Sequence, residues 1–179
     1  MTHAFPLNIL ECTVVHTRKT NGHTDYGIRV QPRIGNGWDD RLFVYRRYSA
    51  FVELQRLALQ HFHQDDDTPH QPGSCCCGTE ACLFACFVEP VFRATEFSTT
   101  LALFFRRNSA SVVTQRVVYL NAFLKMLDEA IADVPPLVLQ RCEQENCKLL
   151  RLLKSFYGCV AAPRASASPV QRPQRSRSV

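Results

Sequence analysis

No apolar run in this chain approaches the ~18–20 residues that a membrane-spanning helix needs. The opening residues, Met1-Thr2-His3-Ala4-Phe5-Pro6, lack a basic stretch followed by an apolar one, so the reading expects no secretory signal and a cytoplasmic protein. There is no glycine-rich phosphate loop, no Ser-His-Asp order of the hydrolase kind and no internal repeat. Nothing marks an oriented base or an oxyanion site beside any cysteine, and a non-enzyme is expected. Acids are missing from residues 160–179, which carry Arg164, Arg172, Arg175 and Arg177. Removing these four from the net charge of +5 leaves +1, so the body is near neutral. That excludes a uniformly basic nucleic-acid binder, and no nucleic-acid partner is expected.

What is present suits one domain and a tail: 179 residues, 46% hydrophobic and 21% charged. Leu7 to Thr17 is rich in β-branched and apolar types, and Asn21-Gly22 is a turn signal. Tyr26–Val30 and Leu42–Tyr45 read as two further strands of an antiparallel meander. From Ser49, a candidate N-cap, Phe51, Leu54, Leu57, Ala58 and Phe62 recur at helical spacing. Gln64 to Ser74 reads as a loop, and Asp65, Asp66 and Asp67 as its solvated acids. A possible helix at Leu83–Val88 is interrupted by Pro90. Asn108 or Ser109 then caps a long helix with Val113, Val117, Leu120, Leu124, Leu127 and Ile131 on one face. Pro135-Pro136 ends it, and one last helix is expected from Leu137 to Tyr157, stopped by Gly158. Strands followed by segregated helices indicate an α+β domain, a three-stranded sheet against about four helices. The boundaries expected are a lead-in at 1–6, a domain at 7–159 with a cysteine-rich insert at about 64–96, and a disordered Arg/Ser/Pro tail at 160–179.

The segment Val44-Tyr45-Arg46-Arg47-Tyr48-Ser49-Ala50-Phe51-Val52-Glu53-Leu54 puts two arginines and a tyrosine where a strand ends and a helix starts. Free N–H groups and the positive end of a helix dipole dispose such a junction towards anions. An arginine there can grip a phosphate with two charge-assisted hydrogen bonds, and a flat aromatic can floor a sugar-like ring. Solvated edge charges beside a core tyrosine are the competing reading.

Arg-Arg-Tyr-Ser-x-Phe-x-x-Leu resembles the signature of the phox-homology (PX) family of sorting nexins and oxidase-assembly proteins. Gln115-Arg116-Val117-Val118-Tyr119-Leu120-Asn121-Ala122-Phe123-Leu124 is similar to the same family's second motif, and the resemblance covers roughly residues 7–157. It implies a phosphoinositide-binding module, with phosphatidylinositol 3-phosphate as ligand and endosome-like membranes as partner. Arg47 would bind the 3-phosphate, Tyr48 would pack on the inositol ring, and Arg116 would bond the ring's 4- and 5-hydroxyls. Arg46 is an additional candidate. The sequence departs from the family at Phe97–Arg107, where a proline-rich loop would carry a basic residue for the 1-phosphate. Either Arg106 or Arg107 substitutes, or that contact is absent. Leu101, Leu103, Phe104 and Phe105 before those arginines read either as a membrane-inserting wedge or as core.

Five of the nine cysteines, Cys75, Cys76, Cys77, Cys82 and Cys86, fall within twelve residues. Reduced thiols are the expectation without a secretory signal. Cys77, Cys82 and Cys86 are weak zinc candidates, since paired C-x2-C knuckles are missing, and the triple run is a candidate for acylation. No cofactor is expected. Two other readings stay open: a PX-like protein-interaction domain with little lipid affinity, and a zinc-binding adaptor working through the cysteine-rich insert. Ser166, Ser168, Ser176 and Ser178 among the tail arginines would suit an electrostatic switch, with a plain disordered end as the alternative.

Overall fold

Leu10, Cys12 and Val14 are buried while Glu11 and Val15 face outward, the two-residue period of a strand covered on one face. In the computed structural model, which describes residues 6–33, 42–62, 82–97 and 109–159, they open strand β1 (Leu10–Thr20). A short 3-10 turn, Leu7–Ile9, precedes it, so the strand begins later than the apolar pattern predicts. Asn21 and Gly22 both take positive φ, 45° and 77°, the conformation that closes a two-residue hairpin. β2 (His23–Pro32) then pairs antiparallel with β1, and β3 (Leu42–Arg47) pairs antiparallel with β2. The order is β1-β2-β3, the expected meander.

Five α-helices follow among the described residues: α1 (Tyr48–Phe62), α2 (Leu83–Ala94), α3 (Ala110–Ala132), α4 (Pro136–Gln144) and α5 (Lys148–Phe156). They pack on one face of the sheet around Tyr26, Phe51, Phe84, Phe92, Phe123 and Tyr157, all fully buried. This is the α+β class that the element order indicates. No helix among the described residues is long and apolar enough to cross a membrane.

Four local expectations are corrected. α1 starts at Tyr48, so Ser49 lies inside its first turn rather than capping it. α2 runs through Pro90 to Ala94. Pro90 points outward, and burial of Phe84, Val88 and Phe92, roughly 1.5–3 kcal/mol for each, outweighs a proline cost of about 3 kcal/mol. Residues 83–94, grouped with the insert by composition, therefore supply part of the core. The single helix expected over 137–157 is two. Asn146 adopts φ 54°, and the Cys147 N–H returns to the Cys142 carbonyl at 2.8 Å, a left-handed helix end that turns the chain between α4 and α5. Ser109 caps α3 as expected, accepting from the Val112 N–H at 3.4 Å. Gly158, at φ 72°, ends the last helix, and a Cβ there would lie 2.8 Å from Val44 Cγ2.

β1 is an edge strand, and α3 covers its open side. Asn121 accepts from the Val14 N–H at 2.7 Å and donates to the Val14 carbonyl at 3.2 Å. Asp128, two turns further along the same helix face, accepts from the Cys12 N–H. Edge groups that would otherwise invite another strand are thus occupied.

Candidate functional site at the strand–helix junction

β3 passes into α1 without a linker, so Arg46, Arg47 and Tyr48 leave the sheet in three different directions. Val44 and Arg46 share the helix-facing side, and Tyr45 and Arg47 the outer one. Arg46 Nε donates to the Phe156 carbonyl at 3.0 Å, and one of its terminal nitrogens donates to the Ser155 carbonyl at 2.8 Å. These are carbonyls of the last turn of α5, where a cation is favoured and the orphan acceptors need donors. Burial pushes the Arg46 pKa down from its ordinary value. Arg46 thereby holds the end of α5.

Arg47 is the reverse. Its side chain is 60% exposed and its Nε stands 3.8 Å from Asp25, an ion pair rather than a close hydrogen bond. Asp25 also receives Arg18 at 3.2 Å and faces His23 at 3.4 Å. Burial pushes the Asp25 pKa up, but hydrogen bonds from Thr20 and Arg18 and the charges of His23 and Arg18 outweigh it, and the net shift is downward. Two arginines around one carboxylate leave this rim of the sheet positive.

Tyr48 is half-buried, with Phe97 edge-on to its ring at a centroid distance of 5.9 Å. The Arg116 guanidinium lies 4.2 Å from the centroid of the same ring, within cation–π range. Arg116 also acts on the Tyr26 hydroxyl. Burial raises the Tyr26 pKa, and the positive charge of Arg116 opposes that rise. The second arginine, 68 positions after Tyr48 in the sequence, is therefore brought onto it, while Arg47 is its chain neighbour. Arg106, Arg107, Leu101, Leu103, Phe104, Phe105 and Cys77 lie outside the described residues.

A cleft of about 370 Å³ opens between the β1–β2 hairpin and the first turns of α3, lined by Thr17, Lys19, Thr24, Ala110, Val113 and Thr114. Its size is within the range of small-ligand sites, roughly 300–1,000 Å³. Arg47, Tyr48 and Arg116 are not among the residues that line it. Lys19 is a cation that the sequence motifs did not single out. Its only sequence signal is membership of the polar hairpin stretch Arg18-Lys19-Thr20.

Asp128 has the strongest superficial claim to acid–base chemistry. Burial raises its pKa from 3.8 to about 7 against the hydrogen bonds from Cys12 and Tyr157 and the charge of Arg33. The Tyr157 hydroxyl donates to it at 3.0 Å. Both donors belong to segments that α3 holds in place, so the carboxyl is accounted for as a tie between strand edge, helix and C-terminal turn.

Of the zinc candidates, Cys86 is exposed and its thiol donates to the Cys82 carbonyl at 3.7 Å. The Cys82 sulfur instead groups with those of Cys142 and Cys147, both from the α4–α5 corner. Burial and the two neighbouring thiols push the Cys142 pKa up to about 12. Comparison with protein-family models and with curated proteins finds no match, so the functional reading rests on this geometry and on the motifs.

Proposed function

We propose that the chain is a PX-type module that binds the headgroup of a 3-phosphorylated phosphoinositide, phosphatidylinositol 3-phosphate first among them, and is thereby recruited to endosome-like membranes. The observation that carries the reading is the stacking of Arg116 on Tyr48 at the junction where Arg47 leaves the sheet. In the proposed complex Tyr48 floors the inositol ring and Arg116, already held at that ring, donates to its hydroxyls. Arg47 swings from Asp25 to the 3-phosphate. That swing costs little, because the pair is long at 3.8 Å and Asp25 keeps Arg18 and His23 beside it. Lys19, at the β1–β2 hairpin, adds long-range attraction for a polyanion.

No bond is made or broken in this mechanism; the work is charge pairing and ring packing at a surface. Flotation of the full chain with neutral vesicles, with and without phosphatidylinositol 3-phosphate, tests it. Recruitment by the phosphorylated lipid alone supports the proposal. Equal recovery with both vesicle types favours a protein-interaction domain of the same fold.

A further inference from the structure

Cys82, Cys142 and Cys147 come from chain segments 60 or more residues apart, yet their three sulfur atoms all lie within 4.8 Å of one another, and all three residues are buried. The Cys82 and Cys147 sulfurs are 3.9 Å apart. Zinc bound tetrahedrally at about 2.3 Å per thiolate sets its sulfurs about 3.8 Å apart, whereas a disulfide needs about 2.05 Å. The spacing thus matches joint coordination of one ion and is far from a closed disulfide.

A tight turn holds two of the three cysteines together. Cys142 and Cys147 flank a left-handed turn at Asn146, with the Cys147 N–H bonded to the Cys142 carbonyl. Cys82 is the N-cap residue of α2 and Cys147 that of α5, and neither side chain is used to cap its helix. Two of the three thiols therefore sit at the positive ends of helix dipoles, where thiolates are stabilised.

We infer that Cys82, Cys142 and Cys147 are three thiolate ligands of a structural zinc site. Such an ion ties the N-terminus of α2 to the α4–α5 corner. It replaces the three thiol protons, and one dication offsets thiolates that could not coexist unpaired in a buried site. The site is separate from the lipid pocket: α5 spans nine residues, about 13 Å, between Cys147 and the carbonyls that Arg46 holds.

The test is metal content of the full chain, purified under reducing conditions after growth with zinc. About one equivalent is expected in the unaltered chain and in the Cys86→Ser control, and less than about 0.2 in Cys142→Ser and Cys147→Ser. Cobalt(II) offered to the apo chain should give a thiolate-to-metal charge-transfer band. Because the serine variants can misfold, chelation of the unaltered chain is the second arm: the melting temperature should fall by about 5 °C or more, and three further thiols should become reactive. Zinc below about 0.2 equivalent with no cobalt band, or undiminished zinc in a folded Cys142→Ser, overturns the site.

Discussion

Arg46 donates to the Phe156 carbonyl at 3.0 Å, while its neighbour Arg47 stays 60% exposed at the sheet rim. Two consecutive arginines of one motif are thus divided between holding the last helix and facing solvent. Period-two side-chain alternation produces the division: at a strand end, one residue of any adjacent pair meets the core side and the other does not.

Arg46→Ala should therefore behave as a stability mutant. Losing donors to two carbonyls at the end of α5 should cost about 1–3 kcal/mol in urea denaturation. Binding of the folded variant to phosphatidylinositol 3-phosphate vesicles should stay within about threefold of the unaltered chain. A tenfold loss of binding with unchanged stability would place Arg46 in the ligand set.

Tyr48 serves packing and stacking together. Tyr48→Phe keeps the ring beneath Arg116 and against Phe97 and should fold normally, with stability changed by less than about 1 kcal/mol. Tyr48→Ala removes both contacts and should cost about 2–4 kcal/mol. Thermal melts of the two variants check this, and an alanine variant as stable as the phenylalanine one would contradict the packing described.

Asn121→Leu leaves the Val14 N–H and carbonyl without their side-chain partner at the edge of β1. A loss of about 1–3 kcal/mol is expected, together with faster amide exchange at Val14. Protection at Val14 equal to that of the unaltered chain would contradict the edge-covering role.

Asp128 fixes a pH dependence. Its folded-state pKa of about 7 lies above the ordinary 3.8, so the folded form binds the proton more tightly than the unfolded one. Its contribution is fully present below about pH 4 and is lost as pH rises through about 7. Denaturation midpoints should fall between those values, and Asp128→Asn, which keeps an acceptor for Cys12 and Tyr157, should flatten that part of the profile. An identical slope in the asparagine variant would assign the dependence to other groups.

The sheet was legible because each of its strands is announced locally: alternation in Leu10–Val14, the Asn-Gly hairpin, and the arginine pair before a helical period. The stripe Leu120, Leu124, Leu127 and Ile131 likewise named the face of α3 that is buried. The candidate junction was readable from the motif, since Arg47 and Tyr48 are adjacent, but what contacts Arg116 depends on how α3 lies across the sheet. The break at Asn146 was missed because asparagine tolerates the left-handed conformation without glycine's overt signal. Asn121 and Asp128, seven residues apart and flanking the apolar stripe, were the available sign that one helix face meets a strand edge. The cysteines misled by proximity in sequence: Cys82 has near neighbours in the chain, but its sulfur meets Cys142 and Cys147 only through folding.

The most direct measurement is vesicle flotation of Arg47→Ala and Arg116→Ala beside the unaltered chain, with thermal melts on the same samples. At least a tenfold loss of binding to phosphatidylinositol 3-phosphate is predicted for each, as removal of a charged hydrogen-bonding group costs about 1.5–3 kcal/mol. Recruitment by that lipid that survives undiminished in both folded variants would contradict a headgroup pocket at Tyr48.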